Sequence, residues 1–491
     1  MTTSISSLEV KAPEAEKIEP VAPRPVEPPV YRPPHTLASR FAFLNICVAI
    51  VLSALAFGTV HSWAMALFTL GALATLVLWI VDSLRLGVLR ISRNVLQLPL
   101  LGLLALGVVQ LLPLRPTSGD ALGIPEANAL SMDPYATRMV VVQIAVLIVW
   151  FAATLVFTDT PHRLKLLVRT ITIFGFFLAI FGLTQSFATP TRVYWVRELA
   201  QSTAFGPFIN RHHFAGYMEL TLGLALGLIF AGSLEKEKRF IYLFAALLMG
   251  VALIMTGSRG GIISLIAEIL FLFAFAGFRR RSRRQKEHKE GRIRRAGLRT
   301  ALALSLIIGL FAGVVLLGGE EALNRFVGTV NMEDPTTGRA HFWSVTLDII
   351  KANPVVGTGL GAFPVVYTRY DSRNGLYRLE QAHNDYLQIL SDGGIVGGVL
   401  ALGFVVMLFR MGFARRESRD EFRSGVALGA LAGCFAVLVH SFFDFTLHIT
   451  ANALLFLVLA ALATMNGRVE QVSSRRRHRR RSEKSRVEAP A

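Results

Sequence analysis

Two arginines and one histidine are the side chains of this sequence whose type and setting best suit chemistry. Arg259 lies in a very tight turn, after Ser258 and before a pair of glycines. A guanidinium stays protonated in proteins, and together with the free amides at the start of a helix it forms an anion site. The alternative, which the sequence leaves open, is an arginine that extends its charge to the lipid headgroups.

Arg339 is the second candidate, since it opens a segment with a helical pattern. Apolar residues recur at helical spacing over roughly 338–352, and Asn353 and Pro354 end the pattern. An amphipathic helix lying at a membrane interface accounts for the apolar stripe. The first turn of a helix favours acidic side chains, so an arginine there indicates a bound anion rather than a helix cap.

His383 is the candidate general base. Imidazole titrates near neutral pH, which suits a group that takes a proton from a substrate hydroxyl. The alternative is an ordinary surface histidine, because the residues that follow it, Asn384 and Asp385, are a typical helix N-cap pair. His440 and Asp444 are four residues apart, which predicts that they share one helix face at the outer end of a span, either as a structural hydrogen bond or as a support of the site.

A metal or nucleotide site has little support in the sequence. It contains no His-Glu-x-x-His motif and no cysteine cluster, and His212 and His213 are adjacent, so they cannot face one ion from one helix face. Gly357, Gly359 and Gly361 resemble a phosphate loop, but no Lys-Ser or Lys-Thr follows them. We therefore predict turns at these glycines, no metal site and no cofactor.

The elements that must position these residues are membrane-spanning helices. The mean hydropathy of the chain is +0.51 and 53% of its residues are hydrophobic, more than an ordinary soluble protein needs. Twelve apolar stretches are each long enough to cross a hydrocarbon core of about 30 Å as a helix, which predicts an all-α, polytopic integral membrane protein. The predicted spans are 41–60, 63–82, 95–113, 138–157, 165–187, 213–232, 240–257, 261–278, 300–318, 393–413, 425–444 and 447–465.

The basic residues predict which loops face the cytoplasm. Of the 51 Lys and Arg residues, 39 lie in the two tails and in alternate loops between the spans. By the positive-inside rule both termini are cytoplasmic, and the candidate side chains lie on the other side of the membrane. The net charge of +18 then reflects contacts with anionic lipid rather than nucleic acid. The expected division is a disordered tail over 1–38, a membrane domain over 39–466 that includes a large periplasmic loop over 319–392, and a basic tail over 467–491.

Several short motifs, read together, resemble those of the O-antigen ligase and O-antigen polymerase (Wzy-like) superfamily of bacterial envelope glycosyltransferases. Each motif is weak alone, but their order and their side of the membrane agree, and the resemblance is densest over 338–400. The two tails lie outside it. The motifs are Phe208-x-Asn210-x-x-His213-Phe-Ala-Gly-Tyr217, Ser258-Arg259-Gly-Gly, Gly338-Arg339-x-x-x-Trp343, Asn353-Pro354 followed by the three spaced glycines, Ala382-His383-Asn384-x-Tyr386-Leu387, and Gly393-Gly394-Ile-Val-Gly397.

The resemblance implies a fold similar to glycosyltransferases of the C type, with short helices in the large periplasmic loop. It implies an undecaprenyl-pyrophosphate-linked glycan as the donor, in the bacterial inner membrane. The implied acceptor is lipid A-core for a ligase or a growing glycan chain for a polymerase, and the motifs do not distinguish the two.

The resemblance also implies roles for the candidate residues. Arg259 and Arg339 would hold the pyrophosphate, with Arg211 as a further contact, and His383 would deprotonate the acceptor hydroxyl. The implied displacement is inverting and independent of metal. The supporting residues, behind the reacting groups or on the acceptor side, are Asn384, His440, Asp444 and Asn210.

A transporter or flippase of lipid-linked glycans is the alternative from another functional class. It would place charged residues along a cavity at mid-depth, and Glu219 and Glu268 are the only acidic residues well inside the predicted spans. A non-catalytic scaffold would leave the arginines and His383 unexplained. The sequence therefore favours glycan transfer at the periplasmic face.

Overall fold

The computed structural model describes residues 35–114, 128–276 apart from 190 and 200–203, eight residues between 297 and 316, 339–373, and 379–465 apart from 417 and 419. The regular structure of these residues is helical, apart from one short hairpin of strands and one isolated bridge. The helices are α1 Leu37–Leu55, α2 Ser62–Leu86, α3 Gln97–Gln110, α4 Pro134–Phe157, α5 Pro161–Ala188, α6 Arg211–Phe230, α7 Lys236–Met255, α8 Arg259–Ala276, α9 Arg339–Ala352, α10 Phe363–Tyr370, α11 Asp385–Arg416, α12 Glu421–His440 and α13 Thr450–Thr464. The other elements are the 3-10 turns Phe57–Thr59 and Thr446–His448 and the antiparallel strands β1 Arg192–Val193 and β2 Arg197–Glu198.

The predicted all-α polytopic membrane architecture is confirmed. Among the described residues, nine helices are long and apolar enough to cross a membrane, and α3 and α13 are apolar but shorter. Eleven of the predicted spans coincide with one of these helices. The span predicted at 300–318 falls largely outside the described residues, so the number twelve stays a prediction.

Helices α6 and α12 form the centre of the bundle and cross at very short range. In the most apolar stretch of α6 every residue is buried, and in that of α12 83% of the residues are buried. In α2 and α11 only 22% of the corresponding residues are buried. A Cβ on Gly227 would lie 2.1 Å from Cα of Gly429, so only glycines allow this approach. Small residues at such crossings are how membrane helices bring their backbones together. Side chains at the outer ends of α6 and α12 are therefore held at fixed positions.

Helix α11 is longer than its predicted span. It begins at Asp385, eight residues before the predicted start at 393, and passes through Gly394, whose φ is +60°. A Cβ on Gly394 would lie 2.3 Å from the carbonyl oxygen of Val355. The backbone of the preceding loop thus packs directly against the irregular turn of α11, and glycine permits both the left-handed conformation and the contact.

The glycine-rich loop 357–361 is a packed turn. The amides of Thr358 and Gly359 donate to main-chain carbonyls of α11 at 3.0 and 3.1 Å. The amide of Leu360 donates to the side chain of Gln110 at 2.9 Å, and that of Gly361 donates to Asp392 at 3.0 Å. Because all four amides are bonded within the protein, they offer nothing to a phosphate, which agrees with the interpretation of these glycines as turns.

Four ionic side chains, two of them buried and two partly exposed, form a cluster beside the first turn of α1, and we call them the ion cluster. Arg90 contacts Asp82 and, at 2.9 Å, Asp159, while Arg163 lies 3.2 Å from Asp159. Arg163 also donates to the hydroxyl of Ser39 at 3.0 Å, which ties α5 to α1. The ion cluster therefore joins α1, α2 and α5 at one end of the bundle.

The other end of α1 lies beside the starts of α6 and α13. Tyr217, near the start of α6, donates to the carbonyl of Ile50 at 3.1 Å. A Cβ on Gly58, just after α1, would lie 3.1 Å from the Cγ2 atom of Ile449, just before α13. The residues around the starts of α6 and α13 are thus at the end of the bundle opposite the ion cluster.

Candidate functional site

The predicted site residues meet at residues 441–449, which connect α12 to α13 and are called here the connecting segment. The guanidinium of Arg339 donates to the carbonyl of Phe443. The side chain of Asn384 donates to the carbonyl of Phe442 at 3.1 Å. Residues that are distant in sequence, from α9 and from the start of α11, are therefore brought together by main-chain atoms of one short segment.

His383 and Asp444 form a histidine–carboxylate pair. His383 Nδ1 lies 3.1 Å from Asp444 Oδ1, and the two side chains are 26% and 1% exposed. Since a carboxylate accepts, Nδ1 donates, which leaves Nε2 as the basic nitrogen of the neutral ring. The other oxygen of Asp444 is buried and has no hydrogen-bond partner among the described residues. The pair has the arrangement of a general base oriented by an acid.

The surroundings of Asp444 keep its carboxyl group ionised. Burial raises its pKa, but the hydrogen bond from His383 and the nearby rings of His212 and His213 lower it, and the net pKa is below the ordinary value of an aspartic acid. An ionised Asp444 holds the His383 ring in one tautomer. It also stabilises the imidazolium that forms when the ring takes a proton.

His383 has a strained backbone. Its φ is +52°, in the left-handed region that a side chain with a Cβ rarely adopts. Its ring lies 6.3 Å from Phe342 and 5.0 Å from Phe445, measured between ring centroids. Strain of this kind persists where the surrounding structure imposes it, and it is found at functional sites. The packing thus holds the imidazole where an unstrained chain would not place it.

The predicted shared helix face of His440 and Asp444 is wrong. Helix α12 ends at His440, and Asp444 lies in the connecting segment. His440 Nδ1 lies instead 2.8 Å from Glu219 Oε1 on α6, and Asp444 pairs with His383. Each of the two side chains thus has its partner on another element.

Ser258 is a member of the site that the sequence reasoning missed. It is buried in the turn between α7 and α8, and its hydroxyl oxygen lies 2.8 Å from His212 Nδ1 and 3.4 Å from His440 Nε2. The hydroxyl also accepts from the amide of Gly261 at 3.2 Å. These contacts fix the turn immediately before Arg259. Glu219 was a signal in the sequence for this buried polar group, because an acid within a membrane span needs a partner. That partner is His440, whose other nitrogen faces Ser258.

The three candidate arginines each occupy the first position of a helix. Arg211 begins α6, Arg259 begins α8 and Arg339 begins α9. A Cβ on Gly257 would lie 3.6 Å from Nη1 of Arg211, so this guanidinium lies against the turn that leads to Arg259. A Cβ on Gly260 would lie 2.9 Å from Phe443, whose carbonyl accepts from Arg339. The helix starts therefore converge, and guanidinium groups beside helix N-termini favour an anion.

Asn210 and Asn384 serve as helix caps. The side chain of Asn210 accepts from the amide of His212 at 2.9 Å at the start of α6. The side chain of Asn384 accepts from the amides of Tyr386 and Leu387 at 3.0 and 3.1 Å at the start of α11. The predicted N-cap at Asn384 is confirmed, and both caps fix the residues next to them.

Asp385 and His448 form a second pair that the sequence did not indicate. Asp385 accepts from Ser441 Oγ at 2.7 Å and from the amide of Leu447 at 3.1 Å, and it lies 2.7 Å from His448 Nδ1. Burial lowers the pKa of His448, but the hydrogen bond and the charge of Asp385 raise it, so that the net pKa is above the ordinary value. This pair closes the connecting segment onto the start of α11.

Three side chains of the site could hold a metal ion. Ligand atoms of His212, His440 and Asp444 all lie within 4.8 Å of one another, and histidine with carboxylate is a donor set that zinc accepts. The adjacency of His212 and His213 gave no hint of this group, because its members come from α6, α12 and the connecting segment. The nitrogen Nδ1 of His212 and both nitrogens of His440 already face Ser258 or Glu219.

The comparison with protein families gives one match. Residues 244–402 match the family described as O-antigen ligase. The match contains Arg259, Arg339 and His383 but ends before the connecting segment and begins after Arg211. No curated protein matches the chain. Over these residues the chain is thus similar to the family that the motifs suggested.

Proposed function

We propose that this chain, which carries the O-antigen ligase domain over residues 244–402, transfers a glycan from an undecaprenyl-pyrophosphate-linked donor to a sugar hydroxyl. The acceptor is either lipid A-core, as for a ligase, or a growing glycan chain, as for an O-antigen or exopolysaccharide polymerase. The observation that carries the proposal is the His383–Asp444 pair beside a convergence of three arginine-bearing helix starts.

In the proposed reaction, Nε2 of His383 removes the proton of the acceptor hydroxyl as its oxygen attacks the anomeric carbon of the donor sugar. The bond from this carbon to the pyrophosphate oxygen breaks, and the leaving group takes the electron pair. Attack from the face opposite the leaving group inverts the anomeric configuration. Asp444 stabilises the imidazolium until the proton is released to water.

Arg259 and Arg339 neutralise the charge that develops on the departing pyrophosphate, and Arg211 adds a third guanidinium. Fixed cationic donors of this kind stabilise a transition state more than a ground state, because charge accumulates on the leaving oxygen. Asn210, Asn384 and His440 act through the positions of their neighbours. The chemistry needs no metal, so that a chelator should leave transfer unchanged. Activity lost in chelator and restored by a divalent ion would assign a metal to His212, His440 and Asp444.

We place the reaction on the periplasmic face of the bacterial inner membrane, because the basic residues are concentrated in the tails and alternate loops. Reporter fusions after residue 295 and in the C-terminal tail should give cytoplasmic signals, and fusions within 319–392 should give periplasmic ones. A periplasmic signal after residue 295 would overturn the assignment of the face.

The test of the function is transfer in vitro by the purified full chain in detergent or nanodiscs. A purified undecaprenyl-pyrophosphate-linked glycan is offered with lipid A-core or with a second copy of the lipid-linked glycan. Product on lipid A-core identifies a ligase, and a lengthened lipid-linked glycan identifies a polymerase. Absence of both products with intact donor and folded protein, together with movement of the donor across a vesicle membrane, would favour the transporter instead.

A further inference from the structure

An apolar groove lies on the surface of the bundle between α8, α11 and α12. Its volume is about 490 Å³, and no polar side chain lines it. Five phenylalanines form most of its wall, and Ala274 lies at its open side. The lining residues used below are Phe271, Phe275, Phe409, Phe413, Phe435 and Ala274.

The phenylalanines form one contiguous aromatic surface. The ring centroid of Phe271 lies 4.9 Å from that of Phe435 and 4.7 Å from that of Phe275. Phe413 stacks on Phe271 at 6.0 Å and contacts Phe409 at the same distance. Because the rings support one another from three helices, the groove is preformed. A ligand that enters it loses less entropy than one that must order the wall.

The groove lies on the same helix as the proposed pyrophosphate site. Helix α8 begins with Arg259, and Phe271 follows twelve residues later, about 18 Å further along the axis. The hydrocarbon core of a membrane is about 30 Å thick. A lipid whose pyrophosphate lies beside Arg259 would therefore have its chain at the depth of the groove after crossing roughly half of the membrane.

Arg416 marks the far end of the groove. Its guanidinium carbon lies 5.8 Å from the centroid of Phe275 and 5.4 Å from that of Phe413, and its Nη1 donates to the carbonyl of Phe275 at 2.7 Å. A guanidinium stacked on aromatic rings at the end of a span extends toward the opposite membrane surface. The apolar groove thus lies between two arginines, Arg259 at the start of α8 and Arg416 at the end of α11.

From these observations we propose that the groove binds the polyisoprenoid chain of the lipid-linked donor, which rests on the proposed function. Isoprene units are branched and unsaturated, and they contact aromatic faces closely by dispersion. The groove would select the carrier by its chain, whereas the arginines recognise the pyrophosphate that all such carriers share. A phospholipid acyl chain from the bulk membrane is the competing occupant.

The test compares two donors that carry the same glycan on pyrophosphate, one with the full undecaprenyl chain and one with a chain of two isoprene units. Ala274→Trp fills the groove from its open side without disturbing the buried core. The control is Ala74→Trp, at an exposed alanine of α2 remote in sequence from the groove. We expect Ala274→Trp to raise KM for the long donor by about tenfold and to leave kcat/KM for the short donor unchanged, with no effect of Ala74→Trp on either.

Equal KM of Ala274→Trp and wild type for the long donor would overturn the proposal, as would an equal loss with both donors. If the wild type transfers neither donor, the proposed function is contradicted but the lipid-binding proposal is not, and a second measurement then tests the groove by itself. A photoreactive undecaprenyl pyrophosphate without glycan is cross-linked to the full chain in vesicles of excess phosphatidylglycerol. Cross-links on α8 and α11 that resist the excess lipid support the proposal. Loss of these cross-links in the excess assigns the groove to bulk phospholipid.

Discussion

The ion cluster and the His383 site are two polar clusters at opposite ends of one helical bundle, and they neutralise charge differently. In the ion cluster Arg90 contacts two aspartates, and Arg163 lies 3.2 Å from one of them, so each ion faces an ion of opposite charge. At the other end, Asp444 faces histidine rings, since it pairs with His383 and lies close to His212 and His440, and its second oxygen has no hydrogen-bond partner in the described part of the chain.

The two clusters differ in the type of group that is most exposed and in its backbone. The ions of the ion cluster are 1% to 20% exposed, whereas the most exposed member of the other pair is the 26% exposed ring of His383, which has a left-handed backbone. Pairs of opposite ions fix helices relative to one another. An imidazole that is partly exposed and held by a buried acid has the arrangement of a general base. The comparison teaches that pairing of each ion with an ion of opposite charge marks a structural cluster here, and pairing of an acid with an imidazole marks a chemical one.

The largest effect on transfer is expected for His383→Ala. Loss of a general base should lower kcat by about 10²–10⁴-fold. Affinity for the donor should stay near the wild-type value, because the arginines hold the pyrophosphate. Rates and donor binding are measured separately on the purified protein. Lost donor binding would show that His383 binds the donor. Unchanged transfer would show that His383 has no catalytic role and only precedes a helix cap.

Removal of one donor guanidinium comes next. Arg259→Ala and Arg339→Ala should each lower transfer by about 10²–10³-fold, while the protein still inserts and expresses. Lysine at either position should restore only part of the rate, since a point charge lacks the two-pronged geometry of the guanidinium. The assay compares initial rates at equal expression. Wild-type turnover in both alanine variants would exclude the pyrophosphate role.

Asp444→Asn should have a smaller effect than His383→Ala, because Asp444 is a positioning residue that acts through the ring. The amide keeps the shape but cannot stabilise the imidazolium. In the double variant Asp444→Asn with His383→Ala, the rate should be no lower than with His383→Ala alone, since both changes remove one function. Multiplied losses in the double variant would show that Asp444 contributes independently of the ring.

Arg90→Ala is the matched change in the ion cluster, and it should leave the chemistry intact. Removing one partner of a largely buried ion pair costs about 3–5 kcal/mol of stability. We expect a lower Tm in detergent with kcat per folded molecule and donor KM unchanged. A selective fall in kcat at unchanged Tm would contradict the division between a structural and a chemical cluster.

The smallest effect concerns the dependence of stability on pH. The pKa of His448 is raised in the folded protein by Asp385, so its stabilisation is complete below about 6.5, the reference pKa of histidine. It is lost as the pH rises through the raised value. The Tm of the wild type should therefore fall over that interval, and His448→Gln should flatten the change. An identical dependence of Tm on pH in the wild type and in His448→Gln would show that the Asp385–His448 pair does not cause the change.

Local patterns were enough for much of this fold. The apolar stretches predicted eleven of the described helices, the periodic residues over 338–352 predicted α9, and Asn384 was recognised as a cap. Each of these depends on residues within a few positions of one another. Hydropathy, helical periodicity and capping are properties of a short segment, so the sequence alone reports them. The cap at Asn384 indicated a helix start, but the continuity of that helix with the span from 393 was not predicted, because the irregular turn at Gly394 that joins them packs against Val355.

The pairing of the polar side chains was decided by the tertiary structure alone. His440 and Asp444 match the local rule for a helical pair, yet their partners are Glu219 and His383, 221 and 61 residues away in sequence. The close glycine crossing of α6 and α12 brings Glu219 to His440, and the end of α12 frees Asp444 to meet His383. A buried charge takes the partner that packing places beside it. The sequence thus determined which side chains are able to do chemistry, and only the packing of distant helices determined which of them act together.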